Sequence, residues 1–203
     1  LIEAGLPAGV VNIVLGFGPD IGGTMTTDAD VDMVTFTGST AVGKAISAAA
    51  SATLKKVALE LGGKNPQVIF PDADMETAAD AVTFGVYFNA GECCNSGSRI
   101  IVHEDVADDL IARVVALSRK VAFGDPLDPA TQVGAIITPQ HLGKIDTYVR
   151  DAEKAGAEVA LGGARLSVPG LSGDFYQPTV VRGVKPGMAI AREEVFGPVL
   201  SVL

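Results

Sequence analysis

Apolar, β-branched runs alternate along this chain with helical patterns, and glycine stands where one gives way to the next. That alternation limits the fold more than any other feature. Strand, helix and strand in succession pack as layers, with helices covering a parallel sheet. VVNIV (Val10–Val14) reads as a strand leading into GFGPDIGG. MVTFT reads as a second strand running into GSTAVGKAISAAA, a small-residue helix with Ser39 or Thr40 at its N-cap. A third strand, KKVALEL, ends at Gly62-Gly63, and PQVIF follows.

The second part continues the alternation. A helix is expected from about Met75 to Phe88, then a loop at GECCNSGS, a strand at SRIIV and an amphipathic helix over Val106–Val121. FGDPLDPATQVG carries turn signals, and Gln140–Ala155 reads as a helix closed by Gly156 in the C′ position. EVALGG and FYQPTVV read as short strands. The best domain boundary is the double glycine, which divides residues 1–62 from 63–203.

Composition narrows the function classes. The net charge of −9 argues against a nucleic-acid surface, which needs a basic face. No run of about 18 apolar residues is present, so no membrane-spanning helix is expected. Glycine supplies 24 of 203 residues, well above the usual share, which implies tight turns or backbone passing close to a ligand. The two cysteines, Cys93 and Cys94, are adjacent and cannot staple distant segments. No signal peptide is visible. Leu1 is no initiator methionine and the chain stops within the apolar FGPVLSVL, so it reads as a piece of a longer protein.

Three constellations carry chemistry. GFGPDIG, with glycines at 16, 18 and 22, is a near miss to a dinucleotide fingerprint and fits an ordinary strand-to-helix turn as well. TGSTAVG is more informative: a strand runs straight into a helix whose first amides could face a pyrophosphate, although a simple Ser/Thr cap explains it too. Cys94 lies in a small-residue loop between Gly91 and Gly97, where a thiolate nucleophile or a plain structural thiol could sit. Glu60 closes the apolar VALEL run, where a general base or a carboxylate emerging at a sheet edge are both reasonable. Adjacent cysteines are not a metal-ligand spacing, and His103 and His141 read as surface or helix-start residues rather than ligands or bases, so no metal is expected.

FTGSTAVG, LELGGKNP, FNAGECCNSGSR and EEVFGPV, in this order and spacing, resemble the signatures of the aldehyde dehydrogenase superfamily from Leu6 to the last residue. The resemblance implies an α/β fold: the end of a Rossmann-like cofactor domain in residues 1–62, followed by a catalytic thiol domain in 63–203. It implies oxidation of an aldehyde to an acid with NAD, or NADP as the alternative. By that resemblance Cys94 is the nucleophile and Glu60 the general base. The cofactor contacts it implies are Gly18 near the adenosine, the turn Gly38, Ser39, Thr40, Ala41, Val42 and Gly43 against the pyrophosphate, Leu61 beside it, Glu194 at the nicotinamide ribose and Phe196 against the nicotinamide. The implied partners are a small-molecule aldehyde and further copies of the chain, as a homodimer or homotetramer in the cytoplasm, with neither nucleic acid nor membrane.

Departures from the family pattern matter. Its oxyanion asparagine and its ribose-contacting lysine lie upstream of LIEAGLPAG, and its dimer-building arm lies beyond Leu203, so this piece alone is expected to be inactive. Glu92 stands in place of the commoner glutamine, and Ser96 in place of alanine or another small residue. A CoA-acylating or phosphorylating semialdehyde dehydrogenase, or a non-catalytic relative, would share the motifs. Retention of Glu60 favours the hydrolytic route, and retention of Cys94 with Glu60 speaks against a mere scaffold.

Overall fold

The computed structural model describes residues 2–203. The chain forms two compact units that divide between Leu61 and Gly62.

The first unit holds α1 (Gly18–Thr27), β1 (Met33–Gly38), α2 (Thr40–Ala50) and β2 (Lys56–Leu61). Proline in the first turn starts α1, since its missing N–H has no intrahelical partner there. Ser39 is the N-cap of α2: its hydroxyl accepts from the Val42 amide at 3.3 Å. β1 and β2 pair in parallel, so that Thr37 stands opposite Glu60 and Gly38 opposite Leu61. The buried Lys55 ammonium donates to the carbonyls of Asp28 and Val31, fixing the turn ahead of β1 to the start of β2.

The expected strand at Val10–Val14 does not form. That stretch is irregular, and Val10, Val11, Ile13 and Val14 are all more than half exposed. A β-branched run becomes a strand only when a neighbour takes its amides and carbonyls, and the β1–β2 pair does not extend to it.

The second unit is built on a five-stranded sheet in the order β3-β4-β9-β8-β5. Its strands are β3 (Pro66–Ile69), β4 (Arg99–Val102), β5 (Glu158–Leu161), β8 (Thr179–Arg182) and β9 (Val199–Val202); β6 (Arg165–Leu166) and β7 (Phe175–Tyr176) form a separate small ribbon. β3, β4, β9 and β8 run parallel, and β5 is antiparallel at the edge. The FGPVLSVL run therefore ends in a strand at the sheet centre, buried at all four positions of β9, as a two-sided parallel sheet requires.

Helices α3 (Met75–Tyr87), α4 (Glu104–Ser118) and α5 (Pro139–Lys154) supply the core with Val82, Val86, Leu110, Val114, Leu142, Ile145 and Val149; α6 (Ala189–Arg192) is a single turn. Each long helix starts on a side-chain cap. Asp74 accepts from Thr77, His103 from Asp105, and Thr138 from His141. Asp74 is held below the usual carboxylate range chiefly by the Thr77 backbone N–H. The helix read over Val106–Val121 begins two residues earlier and ends three earlier, because the His103 cap recruits Glu104 and Asp105 into the first turn. In the core, the Ser118 hydroxyl lies 3.1 Å from the Tyr87 hydroxyl, and burial raises the Tyr87 phenol above its ordinary range.

Candidate functional site

The thiol loop follows α3 through a tight reversal. Asn89 and Ala90 take left-handed conformations, and Gly91 follows with φ 72°. Non-glycine residues at positive φ are strained, and two in succession persist only when their surroundings hold them there. Gly91 lies against the Gly197 carbonyl so closely that a Cβ would not fit. Asn89 closes the reversal by donating to the Glu92 carbonyl at 2.9 Å.

Below the loop, the start of β3 acts as a clamp. The Asn65 amide donates to the Cys94 carbonyl at 2.8 Å and to the Ser96 carbonyl at 3.3 Å, and Gln67 donates to the Gly97 carbonyl at 2.8 Å. Ser96 is tied to α3 by its hydroxyl on the Gly85 carbonyl, at 3.0 Å. The two thiols differ. Cys93 is half-buried and donates to the Asn95 side-chain oxygen at 2.9 Å, whereas Cys94 is exposed. Access therefore favours Cys94, the residue that the resemblance assigns.

The EEVFGPV segment packs against this loop through the Gly91–Gly197 contact. Phe196 is left-handed, with φ 59°. Glu194 has a buried carboxylate oxygen without a hydrogen-bond partner among the described residues, and Gly62 lies against the same carboxylate. Lys64 Nζ and Arg99 Nε are buried and likewise have no hydrogen-bond partner among the described residues. Burial first, and the Arg99 charge second, lower Lys64 to about 8 against the opposing pull of Glu194. An unpaired buried acceptor is costly, so the Glu194 oxygen suits a donor brought by a ligand, such as a hydroxyl.

The first unit carries its own site. At the N-terminus of α2 the exposed amides of Thr40 and Ala41 have no intrahelical acceptor, and the helix dipole points outward there. Gly43 is packed against the Leu61 side chain, so the helix lies close on β2. Between α1 and α2 runs an apolar cleft of about 590 Å³, lined by Gly18, Gly22, Gly23, Phe36, Val42 and Ile46. A slot floored by glycine and walled by Phe36 and Ile46 suits a flat aromatic base, with the free amides of α2 beside it for phosphate. Gly18 and Val42 share this cleft, and Gly38, Ser39, Thr40, Ala41, Gly43 and Leu61 lie at or beside the helix start that borders it.

Glu60 is exposed near the end of β2, in register with Thr37. Sequence reasoning passed over Asn65, Lys64, Arg99 and the pairing of His141. Lys64, Asn65 and Arg99 lie within the LELGGKNP and FNAGECCNSGSR motifs but carry no role that residue type or spacing signals, and nothing local signals the meeting of His141 with Phe196. Phe84 and Phe88, by contrast, are spaced one helical turn apart in sequence; both are exposed and their rings meet at 5.3 Å just ahead of the thiol loop.

Comparisons with known proteins place the chain in a family. The model of the aldehyde dehydrogenase family matches residues 1–203. The mitochondrial aldehyde dehydrogenase of Mesocricetus auratus is 46% identical over 99% of this chain and 40% of its own length. The betaine aldehyde dehydrogenase of Bacillus subtilis (strain 168) is 42% identical over 98% of this chain and 41% of its own. Among solved structures, an NAD-dependent aldehyde dehydrogenase from Sinorhizobium meliloti superposes with TM-score 0.94 at 52% identity, covering 100% of this chain and 40% of that one. A betaine aldehyde dehydrogenase from Staphylococcus aureus, in complex with NAD+, gives TM-score 0.95 at 40% identity over 100% of this chain and 40% of that one. The chain spans about 40% of the length of the relatives it matches. Four motifs in register, a parallel α/β fold and a family match along the whole sequence lead to one conclusion: the chain belongs to the aldehyde dehydrogenase family.

Proposed function

We propose that this chain is the portion of an aldehyde dehydrogenase that supplies the nucleophile, the general base and much of the cofactor site, with residues 1–62 closing the cofactor domain and 63–203 forming most of the catalytic one. The Cys94 thiolate attacks the aldehyde carbonyl and forms a tetrahedral thiohemiacetal. Its oxyanion is stabilised by the Cys94 backbone N–H and by an asparagine from a segment outside this chain. When bound, NAD+ supplies the hydride acceptor, which leaves the substrate as a thioester on Cys94. Glu60 then activates a water to hydrolyse that thioester and release the carboxylic acid.

The observation that carries the reading is the state of Cys94: an exposed thiol in a loop immobilised by Asn65, Gln67 and the left-handed Asn89–Gly91 reversal, beside a second thiol already engaged with Asn95. A nucleophile must be reachable and fixed, and only one of the two cysteines meets both needs. The α1–α2 cleft and the α2 amides support an adenosine and pyrophosphate there, held by Gly18 and by Gly38 to Gly43 with Leu61. The orphan oxygen of Glu194 supports its contact with the nicotinamide ribose, and Phe196 would pack against the ring. NAD rather than NADP is favoured because a close structural neighbour is described with NAD+.

The substrate class is a small aldehyde, and the working form a homodimer or homotetramer. No helix among the described residues is long and apolar enough to cross a membrane. Two free thiols suit a reducing compartment, and we place the enzyme in the cytoplasm, although mitochondrial relatives make the mitochondrion the alternative. Acylation of CoA would not need Glu60, so its presence favours hydrolysis.

The test is NADH formation with short aldehydes by the full-length enzyme that carries this chain. Cys94→Ser should abolish turnover and Cys93→Ser should retain it. Unchanged turnover in Cys94→Ser would sink the mechanism.

A further inference from the structure

His141 joins the two segments on which this reading rests. It sits in the first turn of α5, and its Nε2 lies 2.6 Å from the Phe196 carbonyl. A carbonyl only accepts, so Nε2 carries the proton and donates it. The same Nε2 is 3.6 Å from Glu92 Oε1, and both side chains are about five-sixths buried, at 16% and 15% exposure. Glu92 also accepts from the Ile137 amide at 3.3 Å, which anchors the thiol loop to the entry of α5. The His141 and Phe196 rings meet edge to face at 5.8 Å. One turn further along α5, Ile145 packs on Gly197, whose carbonyl lies against Gly91.

These contacts form a closed circuit from Glu92, two residues before the nucleophile, through His141 to Phe196. Phe196 needs an external hold, because a side chain at φ 59° relaxes out of the left-handed region when nothing restrains its backbone. Its carbonyl is the restrained group, and its ring is the face proposed to meet the nicotinamide.

We infer that His141 is a positioning residue that fixes Phe196 for the cofactor, with Glu92 of the thiol loop as its anchor. This rests on the aldehyde dehydrogenase reading of Phe196. It also gives the Glu92 departure a purpose: a carboxylate 3.6 Å from Nε2 attracts the donating edge of the ring through its charge, where a glutamine amide would offer only a dipole.

The test measures NAD+ affinity by calorimetry and thermal unfolding in the full-length enzyme, alongside KM and kcat. Glutamine places its amide nitrogen near where Nε2 stands, and asparagine near where Nδ1 stands. H141N and H141L should therefore weaken NAD+ binding about five-fold, raise KM for NAD+ in parallel and leave kcat within about two-fold, while H141Q stays within about two-fold of the unmutated enzyme in affinity. E92A should weaken NAD+ binding to a similar degree, and E92A/H141N no further than either alone. If H141L does not fold, the polar H141N carries the comparison. A merely structural histidine would lower thermal stability with NAD+ affinity intact, and that result, or an H141Q as weak as H141N, overturns the bridge. An unmutated enzyme that fails to bind NAD+ overturns the functional reading and the bridge with it.

Discussion

The Asn65 side chain holds the carbonyl of Cys94 at 2.8 Å, and among the described residues no other side chain is bonded directly to the backbone of that residue. The donor stands just ahead of β3 and the acceptor follows α3, so the strand sets the height at which the thiol stands. Asn65→Ala should lower kcat about ten-fold with a small loss of thermal stability, because the loop loses two donors and the nucleophile its fixed geometry. Asn65→Asp should be worse, since a carboxylate then faces two carbonyl oxygens. The rate of Cys94 alkylation by iodoacetamide, read with kcat, checks both. Unchanged values in Asn65→Asp would remove the clamp from the argument.

Gly91 tolerates no side chain. It combines φ 72° with a backbone contact on the Gly197 carbonyl, so alanine meets both strain and collision. Gly91→Ala should cost about 2 kcal/mol or more, seen as a drop in Tm and a loss of activity together. A Gly91→Ala enzyme with unaltered Tm would mean that the two segments are free to separate.

Lys64 makes stability depend on pH in a defined window. Burial lowers its folded value to about 8 from 10.5, so between those values the unfolded chain binds the proton and the folded chain does not. Stability contributed at this site therefore rises with pH across that window, and below pH 8 the charged lysine opposes folding. The difference in unfolding free energy between the unmutated protein and Lys64→Met should shift by roughly 3 kcal/mol in favour of the unmutated protein from pH 8 to 10.5. A flat difference across the window would show that Lys64 is solvated in solution.

Glu60 should separate acylation from deacylation. Glu60→Gln keeps the shape of the side chain and removes the base, so a burst of NADH equal to the enzyme, then a slow phase, is expected. Full steady turnover without a burst would assign water activation to another group.

Much of the site was legible because its signals are local. A serine ahead of a small-residue helix caps it wherever the rest of the chain goes, and Ser39 does so. Cys94 in a glycine-flanked loop and Glu60 at the end of an apolar strand follow from periodicity and turn residues, and the resemblance chose between the two thiols. In the structure Cys94 is exposed and Cys93 is engaged with Asn95.

What local pattern determined was the alternation of strands and helices, the caps, and the parallel α/β class. Tertiary structure alone decided that the last apolar run becomes a strand between β4 and β8, whereas VVNIV has no strand partner among the described residues. It alone buried Lys64, Arg99 and Glu194 together and carried His141 to the Phe196 carbonyl, 55 residues away in the chain. The reason is physical: periodicity and caps are set by residues within a turn of each other, whereas burial and the pairing of polar groups are set by segments that meet only when the sheet closes.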